Sequence, residues 1–179
     1  EGDRWPEIVH NMQNRIGISS GEMVTGNMGS EARMNYTMMG DNVNTAARLE
    51  SSAKQYGVYI QIADSTYQAV KEKVVVRDLD NVVVMGKNEP VKVWELISEV
   101  GQEPDQYKKI LPAYHEALDL YKNQEWSKAI DAFKASDELE EMFGGRKTNP
   151  SRIYIPRCEH YQENPPGEDW DGVWTLTSK

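Results

Sequence analysis

The sequence predicts an α+β sheet domain followed by a helical unit. Three observations carry that reading. Strand-like and helix-like patterns alternate over the first hundred residues. A polar stretch over 99–106 then breaks the alternation. Beyond it, apolar and aromatic residues recur at helical spacing: Ala113, Tyr114, Ala117, Leu118 and Tyr121, then Trp126, Ala129, Ile130 and Phe133. The predicted units are a sheet domain over 1–98, a linker over 99–106, a two-helix hairpin over 107–143, and a short helix with an aromatic tail over 144–179.

Each element follows from its local pattern. Trp5, Ile8, Val9 and Met12 have helical spacing, so residues 1–14 read as the end of a helix. Residues 15–19 alternate and read as a strand, Ser20 and Gly21 turn the chain, and 22–25 continue extended. Two glycines within 26–30 predict a flexible connection. Residues 34–39 read as a strand. Asp41 is the predicted cap of a helix over 41–56 that Gly57 closes. A strand over 58–63 precedes a short helix over 64–71, with Asp64 as its predicted cap. Strands are predicted over 74–76, 82–84 and 91–97, with a turn over 86–90. The two later helices break at Asn123-Gln124-Glu125, and Gly144-Gly145 ends the second. Pro150 starts a short helix through Tyr161, and the tail beyond Asn164 is irregular, with Trp170 and Trp174 folding back over an apolar groove.

Composition excludes several function classes. A formal net charge of -9 without a lysine or arginine block argues against nucleic-acid binding. A polyanionic ligand would need a local site that overcomes the overall field, with a metal ion to help. The single cysteine, Cys158, excludes an internal disulfide and fits a reducing, cytoplasmic compartment. No apolar run approaches the roughly 20 residues that span a bilayer, so no direct membrane contact is expected. The chain begins in mid-pattern, which is compatible with the cytosolic end of a membrane-anchored parent. His10, His115 and His160 are isolated, and no pair has metal-ligand spacing.

The most informative run is Tyr36-Thr-Met-Met-Gly40-Asp41-Asn-Val-Asn44-Thr-Ala-Ala-Arg48. A strand ends at Gly40 and a helix starts at once. Asn44 and Arg48 lie four residues apart, so they share one face of that helix. An amide beside a permanently charged guanidinium suits a ribose and a phosphate. Together with Arg15-Ile-Gly-Ile-Ser-Ser-Gly-Glu22 upstream, this run resembles the class III nucleotide cyclases over roughly residues 1–98. The resemblance implies a cut-down ferredoxin-like cyclase domain whose site forms between two head-to-tail catalytic domains. It implies that Arg48 braces the transition state, Asn44 orients the ribose, and Thr37 reads the base, with threonine favouring ATP over GTP. The turn Val84-Met85-Gly86-Lys87 resembles the segment that supplies a phosphate-binding lysine; the usual position falls on Met85, and Lys87 lies two residues further.

The same resemblance implies magnesium or manganese as cofactor and a homodimer as the working form. The aspartates that hold the metals in the family precede the helix with which this chain starts. The chain therefore reads as a fragment of a longer adenylyl cyclase that carries the ribose and transition-state half of a site. The helical hairpin resembles one tetratricopeptide repeat, and hairpin and tail together resemble the C-terminal extension of some bacterial cyclases. Two other readings use the same residues: a regulatory pseudo-cyclase that dimerises without turnover, and an interaction module whose working surface is the hairpin.

Overall fold

The computed structural model describes residues 5–10, 12–83, 90–140, 147–167 and 169–174. The fold is α+β. After a single turn of helix, α1 (Glu7–His10), come β1 (Ile16–Ile18), β2 (Val24–Ser30), β3 (Arg33–Met39), α2 (Asp41–Tyr56), β4 (Ile60–Ala63), α3 (Asp64–Val70), β5 (Val74–Val83) and β6 (Pro90–Glu99). The helical part is α4 (Tyr107–Lys122), α5 (Trp126–Glu140) and α6 (Pro150–Glu163). The main sheet has the order β1-β4-β6-β5, with β1 and β4 parallel and the remaining pairs antiparallel. The pair β2–β3 forms a separate antiparallel ribbon.

Helix α2 forms because Thr45, Leu49, Ala53 and Tyr56 place a buried stripe along one side, with no glycine or proline inside. It lies over β1 at Gly17. A Cβ there would stand 2.1 Å from the Ala46 carbonyl oxygen, so only glycine admits this approach. Gly57 ends the helix in the left-handed region at φ 65°, its N–H returning to the carbonyls of Ala53 and Lys54. The expected aspartate caps are corrected. Gly40, at φ 154°, occupies the N-cap of α2, and Asp41 is the first helical residue, where its charge suits the positive end of the helix. Likewise Ala63 precedes α3, and the Asp64 carboxylate accepts bonds from Trp94 Nε1 at 3.0 Å and Gln68 Nε2 at 3.3 Å.

Two other expectations change. The segment over 26–30 is not a flexible connection but most of β2, because the two-residue turn at Glu31 and Ala32 lets every residue from Val24 to Ser30 find a partner on β3. The two short strands expected over 74–76 and 82–84 are one strand, β5, with register shifts between Val75 and Val76 and between Asp78 and Asp80. Its charged centre looks like a loop in sequence, yet Arg77, Asp78 and Asp80 are buried. The turn over 86–90, with Met85 and Lys87, falls in a stretch of which only Pro90 is described, at the start of β6.

Two apolar clusters form the interior. Leu49, Ala53, Tyr56, Val58, Ala63, Leu79 and Val93 lie between α2 and the sheet, with Ile153 of α6 against them. The second cluster joins α4, α5 and α6 through residues such as Tyr114, Tyr121, Phe133 and Tyr154. Helix α6 is a full third helix of 14 residues, capped by Asn149, whose side chain accepts from the Arg152 amide at 3.1 Å. Trp170 packs edge-on against Tyr121 and Trp126, and Trp174 against Tyr161, so the tail covers the bundle. Cys158 is buried here, and burial pushes its thiol up to about 12.

Candidate functional site

Asn44 and Arg48 lie on the side of α2 that flanks its buried stripe, one residue before Thr45 and Leu49, and both are exposed. Four residues separate them, about one helical turn. Among the described residues the Arg48 guanidinium makes no ion pair and the Asn44 side chain makes no hydrogen bond, so both are available to a ligand. Arg48 is thus not tied to Glu50 or Asp41 on its own helix, and the Asn44 side chain caps no backbone group of α2.

The first turn of α2 is anchored instead by Asn42. Its side-chain oxygen accepts from Ser19 Oγ at 3.1 Å, and its amide nitrogen donates to the Glu22 carbonyl at 3.2 Å. Gly21 lies directly under it, since a Cβ there would stand 2.0 Å from Asn42 Nδ2. The start of α2 is thereby fixed to the turn after β1. Further along, Ser52 Oγ donates to Gln61 Oε1 on β4 at 2.7 Å. Sequence reasoning missed Asn42; the hint available was the tight Ser19-Ser20-Gly21 turn, which needs a partner.

Thr37 lies on β3, three residues before Gly40, on the ribbon rather than on the main sheet. It pairs with Gly26 of β2, and nothing approaches within 4 Å of where a Gly26 Cβ would stand. Directly paired residues share a face, so the side of Thr37 is open where a partner side chain would otherwise stand. Val24 and Met39 pair on one side of this notch, Met28 and Asn35 on the other. The structure thus brings Asn44 and Arg48 together on one helix face and sets Thr37 on the strand leading into it; Lys87 lies outside the described residues. Among the described residues no three His, Cys, Asp or Glu side chains converge as a group able to hold a metal ion, so the described residues do not fit a divalent-metal centre.

Behind the helix lies a cluster of buried charges that the sequence did not announce. At the C-terminal end of α2, Tyr56 Oη donates to Asp80 Oδ2 at 2.6 Å. The same carboxylate oxygen lies 2.7 Å from Arg157 Nη1 of α6, and Asp80 Oδ1 accepts from the Asn81 amide at 2.8 Å. Burial first, and then the adjacent Asp80, push the Tyr56 hydroxyl far above its ordinary range, so it stays a donor. Next along β5, fully buried Arg77 reaches Glu95 of β6 at 2.5 Å and Glu140 of α5 at 2.6 Å. Burial alone would push Arg77 down; Glu95 and then Glu140 outweigh it and hold the guanidinium above its ordinary value. Asp78 accepts from Lys92 at 2.6 Å and from Lys122 of α4 at 2.9 Å. Every charged residue of β5 therefore binds the helical unit.

Residues 5–98 match the model of the family described as the adenylate and guanylate cyclase catalytic domain. The terminal-differentiation-specific adenylate cyclase of Dictyostelium discoideum is 34% identical over 151 residues, which is 82% of this chain and 7% of that protein. An adenylate cyclase of Anabaena cylindrica is 38% identical over 84 residues, 45% of this chain and 17% of that protein. A crystal structure of the adenylyl cyclase CyaB from P. aeruginosa aligns over 50% of this chain and 45% of that one, at 32% identity and a TM-score of 0.43. The chain spans only a small part of the two relatives, 7% and 17% of their lengths.

Proposed function

Because this chain belongs to the family of adenylate and guanylate cyclase catalytic domains, we propose that it is part of an adenylyl cyclase that converts ATP to 3′,5′-cyclic AMP and pyrophosphate. The observation that carries this reading is the exposed Asn44–Arg48 face of α2, free of internal partners among the described residues. In the reaction the ribose 3′-oxygen attacks the α-phosphorus, the bond to the bridging oxygen breaks, and pyrophosphate leaves. Asn44 holds the ribose so that its 3′-oxygen points at phosphorus. Arg48 meets the negative charge that builds on the phosphoryl oxygens and on the leaving group. Thr37 offers a hydroxyl that both donates and accepts, and it reads the exocyclic amine of adenine. Lys87 holds phosphate.

A divalent ion, magnesium or manganese, would supply charge balance on the triphosphate. Its ligands would not be among the described residues. The working form is a homodimer in which each copy completes the other's site. The exposed side chains of Met34, Tyr36, Met38 and Met39 on the ribbon, between 52% and 72% accessible, support a partner at this surface. Helices α4 and α5 form a tetratricopeptide-like hairpin, to which α6 adds a third helix.

The test is Arg48→Ala in the full-length enzyme. Turnover falls by a factor of about 10²–10³, the loss seen when one transition-state donor is removed, while KM changes little. Unchanged turnover in a correctly folded variant removes Arg48 from the mechanism.

A further inference from the structure

We propose that Tyr56, Asp80 and Arg157 form a clamp through which α6 sets the roll of α2, making Arg157 and Tyr56 positioning residues for the Asn44–Arg48 face. The inference rests on the function proposed for that face.

Helix α2 is held along its length by different parts of the molecule. Asn42 fixes its start, Gly17 and Ser52 its middle, and all of those contacts come from the sheet domain. Its C-terminal end is bonded to Asp80 of β5, and the helical unit reaches it through that carboxylate. Arg157 of α6 shares the Asp80 carboxylate with Tyr56, at 2.7 and 2.6 Å on the same oxygen. The segment entering α6 also presses on the helix end: a Cβ on Gly57 would stand 1.9 Å from the Thr148 carbonyl oxygen. Ile153 packs against the cluster beneath α2. Tyr154 of α6 donates to the Leu79 carbonyl at 2.6 Å, which holds the strand on which Asp80 lies. Arg157 is itself fixed between the rings of Tyr154 and Trp174, at 5.0 and 5.2 Å.

The geometry makes Tyr56 a lever. Its ring projects from the buried side of α2, so any roll of the helix must pull its hydroxyl from Asp80. Side-chain ends stand roughly 6 Å from a helix axis, so a roll of about 10° moves them about 1 Å. A misplacement of that size at a reacting centre can lower a rate about 100-fold. Tyr56 lies eight residues from Arg48, about 12 Å along an uninterrupted helix, so roll at one end is roll at the other. This gives the helical unit a use in the reaction that its distance from the open face of α2 conceals.

The experiment uses the full-length enzyme with Tyr56→Phe, Arg157→Met and the conservative Arg157→Lys. Hydrogen exchange of α2 amides is read beside kcat, KM and the melting temperature. Tyr56→Phe opens no cavity and leaves the Asp80–Arg157 pair, so it tests the lever even if Arg157→Met unfolds the chain. The expected result is that Tyr56→Phe and Arg157→Met speed exchange across α2 by about tenfold, the effect of one lost hydrogen bond to a charged group. Exchange in β6 changes less, kcat falls several-fold with KM nearly constant, and Arg157→Lys restores most of both. In an Arg48→Ala background Tyr56→Phe lowers kcat no further. Unchanged α2 exchange overturns the clamp, whatever the activity. Faster exchange with kcat unchanged, or effects that add to those of Arg48→Ala, reduce it to a structural contact. An Arg48→Ala enzyme of full activity instead overturns the function proposed for the face and leaves the exchange result standing.

Discussion

The ribbon β2–β3 and the strand β5 invert the usual relation between polarity and burial. On the ribbon, Val24, Met34, Tyr36, Met38 and Met39 are all more than half exposed. On β5, Arg77 and Asp80 are almost wholly buried. The two surfaces differ in what the described chain sets against them. The charges of β5 are matched within the chain, by Glu95, Glu140, Lys92, Lys122 and Arg157. The apolar side chains of the ribbon have no such cover from the described residues, an exposed apolar surface of the kind that the dimer proposed above would bury. One region closes the fold, and the other is open to a partner.

Removing Arg77 should have the largest effect. Arg77→Met keeps the volume and leaves the carboxylates of Glu95 and Glu140 buried against each other's field. Losing one member of a buried ion network of this kind lowers stability by about 3–5 kcal/mol. Replacing Glu95 and Glu140 with apolar residues in the same background restores much of the loss, because the buried carboxylates that Arg77 had balanced are then gone as well. By contrast, Tyr36→Ser on the ribbon should stay within about 0.5 kcal/mol, as exposed positions do. Urea unfolding midpoints measure all three. A loss below about 1 kcal/mol for Arg77→Met would mean that the charges at the junction are hydrated rather than paired.

A smaller effect tests the open region. The Thr37–Gly26 pair leaves a notch on the ribbon, and the proposed function uses it to read adenine. Thr37→Val conserves shape and removes one hydrogen bond, so the preference for ATP over GTP should weaken by about 0.5–1.5 kcal/mol without loss of activity. Competition between the two triphosphates in the full-length enzyme measures it. Better use of GTP by the unmutated enzyme would place base reading elsewhere.

The same comparison explains what could be read from the sequence. Where side chains follow the period of their element, the reading held. The helix read over 41–56, closed by Gly57, is α2, whose buried stripe is Thr45, Leu49, Ala53 and Tyr56, and the spacing of four puts Asn44 and Arg48 on one face of it. Reading failed where long-range pairing overrides local pattern. Gly26 and Gly29 suggest a loop until β3 supplies their partners. Arg77-Asp78-Leu79-Asp80 reads as solvated until residues 60 or more positions away, such as Glu140 and Arg157, meet it. The capping aspartates failed for a subtler reason: Gly40 already adopts the conformation that starts α2, so Asp41 shifts one place into the helix.

The smallest expected effect lies within the closed region and concerns pH. Nε2 of His115, on α4, accepts a hydrogen bond from the Asp78 amide of β5 at 3.4 Å. An accepting nitrogen carries no proton, so this contact requires the neutral ring. Burial pushes His115 below its ordinary value of 6.5; Asp78 and Asp119 oppose that shift, and Arg77 and Lys122 reinforce it. A histidine whose folded value is depressed takes up its proton more readily in the unfolded chain. Its contribution to stability is therefore fully present above 6.5, declines as pH falls through that value, and levels off below the folded one. His115→Gln keeps an acceptor in place without a titration. Its melting temperature should match the parent's near neutral pH and fall less steeply as the pH is lowered towards 5. Parallel curves for the two proteins would show that the α4–β5 contact is held by Lys122 and Asp78 alone, and that the histidine is a bystander.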